Sequence, residues 1–139
     1  MADVFSRKKR SEIMSRVRHE RTGAEDLVAD LLKAIRLRFQ RNVRRLPGQP
    51  DFVLRSVRAV IFVHGCFWHG HDECRRSHVP ATNSAFWRRK FAYNARRDRR
   101  NARLLREMGW RVVTIWECSL KDPIKVRGHL KRVLKERPL

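Results

Sequence analysis

The stretch HGCFWHGHDEC, residues 64–74, holds three histidines, two cysteines, two large aromatics and two acids in eleven positions. Those side chains suit two chemistries. Thiols and imidazoles bind zinc, and a neutral imidazole is the usual proton acceptor near pH 7. Cys66, His71 and Cys74 are spaced so that one loop can wrap an ion, and Cys118 offers a fourth ligand just past the run VVTIWE. Three cysteines with one histidine make a closed, tetrahedral structural zinc set, and it takes every cysteine in the chain. The competing reading is three unrelated buried thiols. His64 and His69 stay outside the set and are candidates for acid–base work, with His69 ahead of His64.

Asp51 stands out for its isolation. Between Leu31 and His71 every other charged residue is positive. It follows the turn PGQP, opens an apolar strand, and lies one short hairpin from the histidine cluster. A carboxylate so placed can hold Mg²⁺ beside a phosphate, because Mg²⁺ takes oxygen ligands and keeps several waters. It can equally be a turn-capping aspartate after proline. The arrangement is similar to nucleases with a Pro-Asp…(Asp/Glu)-x-Lys core, but the second strand here reads Phe62-Val63-His64, with neither acid nor lysine. Either the site is catalytically dead or a different base, such as His69, acts in the lysine's place.

Three aromatics carry a further ambiguity. Phe67 and Trp68 sit inside the zinc-like loop, and Trp87 lies near the start of a long basic segment. Held rigidly, such rings can wedge into a base stack, where unstacking costs a few kcal/mol per step; otherwise they roof the loop. The basic segment contains Arg88, Arg89, Lys90, Arg96, Arg97, Arg99, Arg100, Arg103 and Arg106, with Asp98 and Glu107 its only acids. In a chain of 139 residues with net charge +20, nine cations on one helix read as a phosphate-tracking surface rather than a merely solvated face.

The elements that must position these groups are legible from periodicity. Residues 1–20 form a basic arm in which SEIMSRVRHE can make a short helix, and residues 21–139 form a single domain. TGAEDLVADLLKAI is an amphipathic helix, with Thr22 and Glu25 spelling a capping box. LRFQRNVR alternates like an edge strand; DFVLR and RAVIFVHG read as a hairpin turned about Ser56. A long helix opens at Asn83 or Ser84 and stops at Gly109. WRVVTIWE is the last strand, and a closing helix has Asp122 as cap and Pro123 at its first position. The order predicts an α/β fold with a mixed central sheet flanked by helices. No secretory signal and no run near the ~20 apolar residues of a membrane span is present, so a reduced, cytoplasmic setting with thiols unpaired is expected.

Taken together, LPGQPDFV, VIFVHGCFWHGH, VPATNSAFW and GWRVVTIWEC resemble the very short patch repair endonucleases, in family order and near-identical spacing over about residues 8–118. The resemblance implies a restriction-endonuclease-like fold and a nick in double-stranded DNA on the 5′ side of the thymine of a T·G mismatch, the product of 5-methylcytosine deamination. It implies Asp51 as Mg²⁺ ligand together with the Val63 main-chain carbonyl, His69 as general base, His64 in support, and Glu25 orienting His69 or a metal-bound water. Phe67, Trp68 and Trp87 become a major-groove wedge, Met14 on the arm a minor-groove contact, and Lys90 and Asn94 readers of the mismatched pair. Cys66, His71, Cys74 and Cys118 hold the structural zinc. Two residues, Asp72 and Glu73, separate His71 from Cys74 where the family usually has one. Arg16 and Arg18 make the arm more basic than an apolar wedge, so phosphate contacts are expected there. A monomer is expected, since one nick needs one active centre, with a functional link to a cytosine-5 DNA methyltransferase. The rivals are a catalytically silent, zinc-stabilised DNA-binding module and an endonuclease of the same fold with another lesion or site.

Overall fold

Strand residues that alternate between two apolar faces force this chain into layers. A computed structural model describes residues 23–66 and 81–135. They form α1 (residues 23–34), β1 (Gln40–Arg41), β2 (Phe52–Leu54), β3 (Ala59–His64), α2 (Ser84–Glu107), β4 (Arg111–Trp116) and α3 (Pro123–Lys135), in that order. The sheet runs β1-β2-β3-β4. The first two pairings are antiparallel, and β3 and β4 are parallel with His64 opposite Trp116. A parallel pair needs a crossover, and α2 supplies it.

Phe52, Leu54, Ala59, Ile61, Val63, Val113 and Ile115 face one side, where they pack with Val28, Leu31, Leu32 and Ile35 of α1 and with Val126, Leu130 and Leu134 of α3. The intervening positions Val53 and Val60 face the other side. There they meet Leu105 of α2, with Phe62, Trp110 and Val112 around them. The mixed α/β sheet flanked by helices is therefore as the sequence order predicts.

Local signals mostly act where expected. Asn83 precedes the first helical residue of α2, but at φ 57° it is left-handed and makes no side-chain cap. Gly109, at φ 94°, ends that helix in a conformation glycine adopts most easily. Asp122 Oδ1 accepts a hydrogen bond from Lys125 N at 3.3 Å, capping α3 ahead of Pro123. The hairpin turns through a 3-10 segment, Arg55–Val57, with Arg58 left-handed at φ 50°. The expected edge strand over residues 37–44 contracts to Gln40–Arg41. Thr22 and the basic arm lie outside the described residues. Among the described residues no helix is long and apolar enough to cross a membrane.

Candidate active site

Strand direction gathers the chemistry at one end of the sheet. Because β3 and β4 are parallel, their C-terminal residues His64 and Trp116 finish side by side, and antiparallel β2 starts there, directly after Asp51. The Asp51 carboxylate is tied to this end: its Oδ2 accepts a hydrogen bond of 2.6 Å from the Val63 main-chain N–H. A bond to a carboxylate is charge-assisted and short, and fixes where the acid points. The Asp51 main-chain oxygen accepts a second bond, from Asn42 N at 3.1 Å. Asp51 and Val63 are thus neighbours, as the Mg²⁺ reading requires, although the contact seen is through the Val63 nitrogen.

His64 is 9% exposed and held between two rings, Phe62 at 5.6 Å and Trp116 at 5.3 Å between centroids, the latter edge-on at 74°. Such packing fixes the imidazole plane.

Glu25 comes in from the first turn of α1. It meets Arg41, with Nη2 to Oε2 at 3.5 Å, while Arg41 Nη1 reaches Asp26 Oδ1 at 3.0 Å. Arg41 also lies 5.5 Å over the Phe52 ring, the residue after Asp51. One guanidinium thereby joins the helix bearing Glu25 to β2, which begins directly after Asp51. Both ion pairs are partly exposed, so their value is in orientation more than in stability.

The sulfur set begins one step further on. Cys66 is 1% exposed, and its Sγ accepts a hydrogen bond from the Cys118 main-chain N–H at 3.4 Å. The cysteines that follow β3 and β4 therefore meet, through the main chain of Cys118. An N–H aimed at sulfur stabilises thiolate character, which a zinc ligand needs. On that observation Cys66 and Cys118 fit as two ligands of a zinc ion. His71 and Cys74 lie outside the described residues, and among the described residues no three candidate ligands cluster.

The geometry so far is a carboxylate, a buried imidazole and a thiol pair at one sheet end beside a strongly basic helix. A family model described as DNA mismatch endonuclease Vsr matches residues 2–76. The DNA mismatch endonuclease Vsr of Escherichia coli (strain K12) is 46% identical over 126 residues, covering 91% of this chain and 80% of the relative. The chain belongs to the Vsr family. Two type II nicking enzymes are also similar: V.XorIIP of Xanthomonas oryzae pv. oryzae, 40% identical with 96% and 98% covered, and V.NmeAIP of Neisseria meningitidis, 38% identical with 98% and 96% covered.

Of the residues that the resemblance to the Vsr family singles out, Glu25, Asp51, Val63, His64, Cys66 and Cys118 come together at this end. The remaining described ones ride on α2. All nine cations of that helix are exposed, Lys90 included. Trp87 and Asn94 instead lie on its inward side with Phe91; Asn94 is 7% exposed and Trp87 stacks 5.9 Å from Phe91 at 33°. Met14, Phe67, Trp68 and His69, like His71 and Cys74, lie outside the described residues.

Three residues of the site escape a reading of the sequence. Arg41 looks like one more surface charge in a basic strand, and only the β1–β2 register places it over Phe52. Phe62 and Trp116 read as strand apolar residues. Their contact with His64 depends on the alternation of β3 and on a parallel pairing that spans the α2 crossover, which no local pattern announces.

Proposed function

We propose that this protein nicks double-stranded DNA on the 5′ side of the thymine in T·G mismatches, with Mg²⁺ at Asp51 and a structural zinc. Family membership makes it a DNA endonuclease. The observation that carries the finer reading is the Asp51 carboxylate, fixed by the Val63 N–H at the end of β3, next to His64. That placement also supports a restriction-endonuclease-like core.

Asp51 would hold Mg²⁺ with help from the Val63 main chain, and the ion, when bound, stabilises negative charge building on the phosphate. His69 accepts the proton of the attacking water. His64, clamped by Phe62 and Trp116, gives the site a rigid wall. Glu25, held by Arg41, orients His69. The exposed cations of α2 track phosphates on either side of the lesion, and Phe67, Trp68 and Trp87 open the stack while Lys90 and Asn94 read the pair. Asn94 is buried, so its reading role requires the inward side of α2 to meet the DNA. Met14 and the arm approach from the minor groove. Cys66, His71, Cys74 and Cys118 close around zinc and pin the loop between β3 and α2. The protein acts as a monomer in the cytoplasm, where a cytosine-5 methyltransferase creates the need for it.

A strand-resolved cleavage assay tests this. With Mg²⁺ and a duplex carrying one T·G mismatch, the expected product is a single nick, 5′ of the thymine and absent from the T·A control. Equal cleavage of T·G, U·G, T·T and T·A duplexes would remove the mismatch claim; tight binding without cleavage would leave a silent DNA-binding module.

A further inference from the structure

We infer that an outward stripe of α2 lies in a groove of the DNA, and that Phe86 and Tyr93 on it set the preference for base pairs flanking the lesion. The inference rests on the mismatch-endonuclease reading, but it concerns a different side of α2 from the one bearing Trp87 and Asn94.

Helix periodicity groups Phe86, Lys90, Tyr93, Arg97 and Arg100 along one line, at spacings of four, three, four and three. None faces the core, whose α2 contribution comes from Phe91, Asn94 and Leu105. Phe86 is 52% exposed and Tyr93 57%. A single exposed aromatic needs no explanation. Two on one line, with a cation between them and two more beyond, form a pattern that duplex DNA fits and an apolar protein surface does not. From Phe86 to Arg100 the line carries no acid, and Glu107 at the last residue of α2 is the one acid further along it, so phosphates are the natural electrostatic complement of the Phe86–Arg100 stretch.

Spacing and bracing agree with that partner. Seven helical residues cover about 10.5 Å, roughly two to three base-pair steps for a helix running along the groove. Phe86 is held before any DNA arrives: its ring meets Trp87 edge-on at 5.3 Å and 79°, and Trp87 in turn rests on Phe91. A braced phenyl ring selects for shape and for the thymine methyl group. Tyr93 adds a hydroxyl that can donate to a purine acceptor or accept from an amino group. Arg97 supplies positioning, which is indifferent to sequence, while Lys90 between the two rings keeps its role at the mismatched pair.

The test uses the full-length protein and a panel of T·G duplexes in which the flanking pairs are varied one position at a time. Phe86→Ala and Tyr93→Ala are expected to compress the wild-type spread of nicking rates by on the order of tenfold, each at its own flanking position, roughly two to three steps apart. Arg97→Ala should instead weaken every context equally and lower the salt slope of binding by about one. Thermal melting confirms that the surface variants fold. A common loss factor across all contexts for Phe86→Ala and Tyr93→Ala, or no change, overturns the inference. Duplexes carrying 5-iodouracil at the flanking positions give an independent readout, because irradiation links that base to a touching aromatic side chain. A cross-link on Phe86 or Tyr93 supports the stripe; cross-links confined to other residues overturn it. Should the wild type nick no T·G duplex, the mismatch reading fails, while anisotropy on the same panel and the cross-links still decide the role of the stripe.

Discussion

The two ends of the sheet use polar side chains for opposite purposes. At the end where β3 and β4 finish, the Asp51 carboxylate, the His64 imidazole and the two cysteines lie on neighbouring strand ends, where the proposed reaction would use them. At the other end, arginines turn inward on the chain itself. Arg111 Nη1 donates to Val133 O at 2.8 Å, and its Nη2 donates to Val57 O at 2.8 Å and to Leu134 O at 3.4 Å. It thereby closes the C-terminus of α3 against the β2–β3 turn. Arg58 reaches Met108 O and Gly109 O, each at 3.4 Å, and stacks 5.3 Å over Trp110. The end of a helix leaves carbonyls without partners, and a guanidinium is a rigid fork of donors suited to them. A net charge of +20 is thus no direct measure of the DNA-binding surface, because part of it holds backbone together.

This contrast can be broken in several ways. The largest expected effect is on the zinc set, because structural zinc contributes about 10 kcal/mol or more to small folds. Dialysis against a strong chelator should strip one zinc per chain and unfold the protein, followed by circular dichroism and by metal analysis. A chain that holds no zinc yet melts unchanged would refute that assignment.

Next is Asp51→Ala. On the proposed role it should reduce nicking of a T·G duplex on the order of 10³-fold at near-wild-type DNA affinity, and loss of the carboxylate that accepts the Val63 N–H should lower stability by about 1–3 kcal/mol. Unimpaired nicking would move Asp51 back to a turn cap. At the opposite end, Arg111→Met should destabilise by about 3 kcal/mol in urea titration, because buried carbonyls lose their donors. If it instead weakens DNA binding at unchanged stability, the two ends are not divided as argued.

Gly109→Ala tests the same region more gently. Its φ of 94° strains any β-carbon, and that carbon would stand 3.0 Å from the Arg58 guanidinium, so a loss of about 1–2 kcal/mol is expected. Smallest, and opposite in sign, is Gly128→Ala in the middle of α3. A β-carbon there meets nothing within 4 Å, so helix propensity alone should add about 0.5–1 kcal/mol. A destabilisation would show that α3 packs differently from the arrangement described.

What a reader of the sequence could foresee follows from how local each determinant is. The extent of α2, the Asp122–Pro123 start of α3 and the apolar strands β3 and β4 rest on periodicity and capping within a few residues, and these emerge as expected. The pairing of Asp51 with the end of β3 was within reach, because a tight hairpin fixes register over short range. Arg111 and Arg58 were not: they look like the arginines of α2, and only the meeting of three chain segments gives them carbonyls to bind. Glu25 shows a middle case. Its place in a helix start is legible, but its partner Arg41 comes from a strand whose alignment is set by sheet pairing. Burial of Asn94 was similarly hidden, since an asparagine among arginines gives no hint of which side of the helix it occupies.

The contact between Cys66 and Cys118 has a consequence for the history of each molecule. The two residues are 52 apart in sequence, so the chain must be synthesised through the whole of α2 and β4 before they can meet. A nascent chain that has emerged only as far as α2 would carry Cys66, His71 and Cys74 without the last thiol, and could hold a metal only loosely. Tight zinc retention would therefore be a late event that records completion. In a purified sample, the zinc-to-protein ratio would count the molecules whose crossover has closed, including any that inactive catalytic residues would leave invisible to a cleavage assay.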